Sequence, residues 1–90
     1  MVNIKFTSAL RRFFPLLKEQ QVHGRTVKEV LYNIDKLYPG ILGYLLEDNG
    51  RLRKHINIFL QGKLIEDRVA LTDAIGPEQE VLIFQALSGG

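Results

Sequence analysis

The stretch Glu80-Val81-Leu82-Ile83-Phe84-Gln85-Ala86-Leu87-Ser88-Gly89-Gly90 decides the reading of this sequence. Residues Glu80 to Ala86 are β-rich and apolar on both parities, as in a central strand covered on one side. The last two residues lack a Cβ, so the strand runs straight into a thin tail that can thread a channel where a side chain would clash. A free carboxylate at the tip, on Gly90, is the expected business end. Terminal glycines are also what a frayed end looks like, so the rest of the chain has to decide between the two.

Working outward, His55 to Leu60 alternates, with Ile56, Ile58 and Leu60 on one face and His55, Asn57 and Phe59 on the other, before a turn at Gln61-Gly62-Lys63. Leu64 and Ile65 suit a short further strand. Ala70 to Ile75 suits one helical turn before Gly76-Pro77. Upstream, Thr26-Val27-Lys28-Glu29 is a capping box, with the Thr26 hydroxyl accepting from the Glu29 N–H and the Glu29 side chain reaching back to the Thr26 N–H. Val27, Val30, Leu31, Ile34, Leu37 and Tyr38 follow at three- and four-residue spacing, an amphipathic helix stopped by Pro39-Gly40. Ile41 to Leu46 reads as an extra helical turn and Glu47 to Gly50 as a surface loop. Val2, Ile4 and Phe6 have period two and form a first strand; polar Lys18 to Arg25 is expected as a short edge strand beside it, with Gly24 supplying a turn. Ser8 to Pro15, of mixed periodicity and closed by a proline, is expected to be a structured loop. The fold class is α+β, with the helix on one sheet face.

Composition narrows function. Ninety residues hold one core and bury roughly 60–65% of the unfolded surface, which leaves little for a deep catalytic cleft. A net charge of +2 describes a small basic excess, so nucleic acid is not required as a partner. The absence of cysteine excludes disulfides, cysteine-ligated metals, a cysteine nucleophile and a side-chain persulfide. The amino terminus lacks the basic region and long apolar run of a secretory signal, and no apolar run approaches the ~20 residues of a membrane span, so a cytoplasmic location without membrane contact is expected. His23 and His55 have no cysteine or spaced carboxylate companions, and no metal is expected. Ser8 and Ser88 lack a partner base, and Glu47-Asp48 adjoin along the chain instead of facing across a cleft, so no catalytic residue is assigned. Arg51, Arg53 and Lys54, with Arg11 and Arg12 elsewhere, are candidates for a basic patch that takes RNA or an acidic partner, but Lys and Arg are commonest as solvated surface charge and are read so here. A phosphate-binding glycine loop is missing, so any ATP chemistry belongs to a partner.

The element order, the capped helix, the strand-turn Asn57-Ile58-Phe59-Leu60-Gln61-Gly62-Lys63 and the Val81 to Gly90 ending together resemble the MoaD/ThiS family of ubiquitin-like β-grasp sulfur carriers. The resemblance spans essentially the whole chain. The length, the aliphatic segment Ile41 to Leu46 and the long Glu47 to Lys54 connection look more like CysO-type carriers than the molybdopterin synthase small subunit. It implies a mixed sheet of four to five strands with one main helix, a β-grasp domain over 1–86 and a flexible diglycine tail over 87–90. It also implies a mechanism in which an ATP-using, E1-like enzyme adenylates Gly90 and sulfide or a persulfide donor converts it to a thiocarboxylate. A sulfur-accepting biosynthetic enzyme, of cysteine or another sulfur metabolite, then takes the sulfur. Leu87, Ser88 and Gly89 would thread the partner's channel, and no cofactor would be stably bound. The same first step serves an isopeptide-forming modifier, and a molybdopterin synthase subunit or a plain interaction module with an inert tail are further alternatives.

Strand parity adds a docking expectation. With Val81 and Ile83 inward, Leu82 and Phe84 face out, and Phe59 joins them if its strand is adjacent, giving a contiguous apolar patch suited to a partner.

Overall fold

The computed structural model describes residues 1–86. Val2–Phe6 forms β1, Ser8–Arg11 a helical turn α1, Gln20–Val22 β2, Val27–Leu37 the main helix α2 and Ile41–Leu45 the short α3; Ile56–Leu60, Lys63–Leu64 and Glu80–Gln85 complete the sheet as β3, β4 and β5. The strands lie in the order β2-β1-β5-β3-β4. The central pair β1 and β5 is parallel, with Ile4 opposite Val81 and Phe6 opposite Ile83, and every other pair is antiparallel. Such a pair needs a long crossover, and α2 lies within it.

The period-two faces and the helical stripe meet as the patterning demands. Val2, Ile4, Phe6, Ile56, Ile58, Val81 and Ile83 from the sheet are buried with Val27, Val30, Leu31 and Ile34 from α2. This is the mixed five-stranded β-grasp arrangement, with one main helix on one sheet face.

The cap of α2 forms as expected on one side: Glu29 N–H donates to Thr26 Oγ1 at 3.2 Å. The return bond differs, because Glu29 Oε1 accepts from Arg25 N–H, one residue further back. The backbone here is also paired with the 71–75 segment, with Val27 N–H donating to Asp73 O and Ile75 N–H to Arg25 O. Gly40 sits at φ 99°, the left-handed geometry that starts α3, and Asp35 Oδ1 accepts from the N–H groups of Gly40 and Leu42. Gly24 has a different reason from the expected turn. A Cβ there would stand 2.5 Å from Val30 Cγ2, so the residue's absence of bulk lets the segment after β2 lie on α2.

Two expectations are corrected. Ser8 to Arg11 is helical, with Ala9 and Leu10 buried; Pro15 lies beyond this turn and does not interrupt it. Ala70 to Ile75 is not a helical turn. Leu71 has φ 58°, outside the right-handed helical region, and the carboxylate of Asp67 takes the N–H groups of Val69, Ala70 and Thr72. Ala74 then forms an antiparallel bridge with Thr26.

Candidate functional site

The tail residues Leu87, Ser88, Gly89 and Gly90 lie outside the described residues, but the point where β5 releases the chain is built in detail. Gln85 N–H donates to Thr7 Oγ1 at 3.3 Å, and Ala86 N–H donates to His55 O at 2.8 Å. The Tyr44 hydroxyl donates to Gln85 Oε1 at 2.9 Å. The strand is thus held on both sides up to Ala86. Tyr44 in turn carries Phe13, ring centroids 4.9 Å apart, and Phe14 at 5.7 Å, edge-on. The loop after α1 is thereby packed against the side chain that grips Gln85.

The sheet face away from α2 brings together the three residues that strand parity singled out. Phe59 lies directly opposite Leu82 in the β3–β5 register, and Phe84 meets Phe59 ring to ring at 6.3 Å and 89°. With Gly62 and Glu80 they line an open groove of about 320 Å³. Leu64, which the sequence reading left out of this patch, stands opposite Phe59 on β4 and is 55% exposed. It extends the apolar stripe to the sheet edge. A two-residue strand after a tight turn carries no periodicity, so its only signal was the pairing itself. One rim is polar: Lys5, beside Leu82, forms an ion pair with Glu80 at 3.1 Å that raises the ammonium pKa.

The remaining candidates stay apart. His23 follows β2, where its carbonyl accepts from Asn33 Nδ2, and His55 precedes β3. Among the described residues no cluster of three or more His, Asp or Glu side chains is placed to hold a metal. Ser8 begins α1, while Glu47-Asp48 form a turn whose groove includes Arg53. The Arg53 guanidinium donates to Gly43 O. No helix among the described residues is long and apolar enough to cross a membrane.

This geometry of a crossover helix, a mixed sheet and a central last strand held up to its final residue is matched by sequence comparison, in which residues 4–90 match the ThiS family. The chain belongs to the ThiS family. The small archaeal modifier protein 3 of Haloferax volcanii is 29% identical over 88 residues, covering 88% of this chain and 95% of that protein. In structure, a chain of the Amycolatopsis orientalis BexX/CysO complex superposes with a TM-score of 0.85 at 21% identity, covering all of both chains. The small archaeal modifier protein 1 of Methanosarcina acetivorans gives 0.78 at 25% identity, over 99% of this chain and 95% of that one. The likeness to CysO-type carriers expected from the chain length, Ile41 to Leu46 and the Glu47 to Lys54 connection is seen at the level of the fold, which the archaeal modifier protein shares. The ThiS-family chain thus belongs with small ubiquitin-like sulfur carriers and modifiers, whose members are carrier or modifier proteins rather than catalysts.

Proposed function

We propose that this protein is a sulfur carrier whose Gly90 carboxylate is adenylated by an E1-like enzyme and converted to a thiocarboxylate. A carboxylate is a poor acyl donor because neither oxygen leaves. In the proposed cycle a Gly90 oxygen attacks the α-phosphorus of ATP and pyrophosphate departs; sulfide then attacks the acyl carbon of the adenylate and AMP departs with its bridging oxygen. A persulfide donor gives an acyl disulfide instead, which a thiol must reduce. The thiocarboxylate keeps its charge largely on sulfur and hands that sulfur to an enzyme making cysteine or another sulfur metabolite in the cytoplasm. The carrier contributes a tethered reagent, and its partners contribute the catalysis. Phe59, Leu82 and Phe84, with Leu64, offer the partner an apolar face, while Leu87, Ser88 and Gly89 pass through its channel.

The observation that supports this reading best is the family match, which runs through the diglycine to residue 90. The test is the intact mass of protein purified from its source cells, before and after thiol alkylation. The expected result is a fraction with one oxygen replaced by sulfur and alkylated on the C-terminal peptide, with no cysteine in the chain to confuse it. An unmodified mass that persists after incubation with ATP, sulfide and the activating enzyme would refute it. The likeness to small archaeal modifier protein 3 favours a second reading, transfer of the same adenylate to a lysine. Conjugates that disappear when Gly89 and Gly90 are deleted would establish that outcome.

A further inference from the structure

Three segments converge at the end of β5: residues 2–17, which hold β1 and the loop behind it, residues 51–65, and residues 81–86. None of the three contains an aspartate or glutamate. Arg11, Arg12 and Lys54 are exposed and make no ion pair among the described residues. Their positions are set by contacts already described. Arg11 ends α1, and Arg12 precedes Phe13, whose ring rests on the Tyr44 that holds Gln85. Lys54 precedes His55, whose carbonyl accepts from Ala86 on the other side of the strand. The loop after α1 also exposes Phe13 by 58% and Leu16 by 83%. Arg53 is not part of this set, because its guanidinium is engaged with Gly43 O beside Glu47 and Asp48.

We propose that this rim, Arg11, Arg12, Phe13, Leu16 and Lys54, is a second docking surface, separate from the Phe59–Leu82–Phe84 face, and that its occupant is the acidic mouth of the activating enzyme's tail channel. The inference rests on the carrier reading, since it places the partner around the base of the tail. Unpaired cations around exposed apolar side chains fit carboxylates set about an apolar socket, and they draw such a surface in by long-range attraction. A polyanion is the poorer fit, because the chain's net charge is only +2 and the rim holds three cations instead of a continuous basic stripe.

The test is carrier-dependent ATP–pyrophosphate exchange by the E1-like enzyme of the source organism, with half-saturation by the carrier measured between about 50 and 300 mM salt. The wild-type value is expected to rise with salt. The triple variant R11E/R12E/K54E is expected to raise it about tenfold or more at low salt and to flatten its salt dependence, with the loss in half-saturation and not in maximal rate. The control Lys28→Glu, on an exposed position of α2, should leave it unchanged. The neutral set R11Q/R12Q/K54Q gives a smaller shift in the same direction and guards against misfolding by charge reversal. If the wild type supports no exchange, the carrier reading and this proposal fall together. If it supports exchange, and both variant sets keep the wild-type half-saturation and salt dependence, the rim proposal alone is overturned. Retention of single-stranded RNA by the wild type, lost in R11E/R12E/K54E, would assign the rim to nucleic acid and overturn the proposal as well.

Discussion

Gly24, Asp67 and Tyr44 each carry a structural duty that their residue type explains. At Gly24 a methyl group would meet Val30 Cγ2 at 2.5 Å and the Val30 amide nitrogen at 3.0 Å. Gly24→Ala is therefore expected to cost about 1–3 kcal/mol, read from urea denaturation, because the backbone of α2 cannot retreat as a flexible side chain could. An unchanged midpoint would show that the segment after β2 lifts away freely. Asp67 is held well below the usual carboxylate range, first by the Thr72 hydroxyl and then by the N–H groups of Ala70, Val69 and Thr72. Its folded pKa is depressed, so the stability it contributes is present above the unfolded value of about 4 and is lost as pH falls below it toward the folded value. The melting temperatures of wild type and Asp67→Asn should differ by a constant amount above about pH 5, and the gap should narrow steadily as pH falls from about 4 toward 2; a gap that stays constant over that range would refute the assignment. Tyr44→Phe removes the bond to Gln85 and should cost about 1 kcal/mol, with amide exchange at Ala86 accelerated.

At the scale of elements, legibility followed range. The amphipathic α2 and the alternating β1, β3 and β5 were readable because period and cap are local signals: Thr26 and Glu29 stand three residues apart, and the buried set repeats within one element. Thr26→Ala should cost about 1 kcal/mol for that reason, seen as a lower denaturation midpoint. The outward patch was readable in part, since parity fixes the face of Phe59, Leu82 and Phe84 once two strands are neighbours. Its fourth member, Leu64, was not, because β4 has two residues and takes its register wholly from Phe59 and Leu60. α1 escaped notice for the same cause, being four residues long and too short for a 3.6-residue period to show. The turn at Leu71 was misread because its backbone is set by Asp67 and by pairing to α2, with Lys28 N–H donating to Leu71 O. The grip on the strand exit was invisible, since Tyr44 and Gln85 are 41 residues apart and nothing local ties them.

At the scale of the molecule, the apolar stripe and the cationic rim are separate surfaces and should respond differently to salt. Leu82→Ser is expected to weaken partner association with a salt dependence like that of the wild type, because burying apolar area is little affected by screening. A changed salt slope would show that the two surfaces act as one. The parallel pairing of β1 with β5 has a mechanical consequence. Met1 stands at the start of one strand and Ala86 at the end of its neighbour, so force applied to these two points pulls the strands past each other along their length. All the hydrogen bonds joining them then bear load together, whereas pulling on the β3–β4 hairpin would open its bonds one at a time. A partner that tugs on the tail while holding the far end of the fold meets the molecule in its most resistant direction, and the domain keeps its shape under a load that would unzip it from the side.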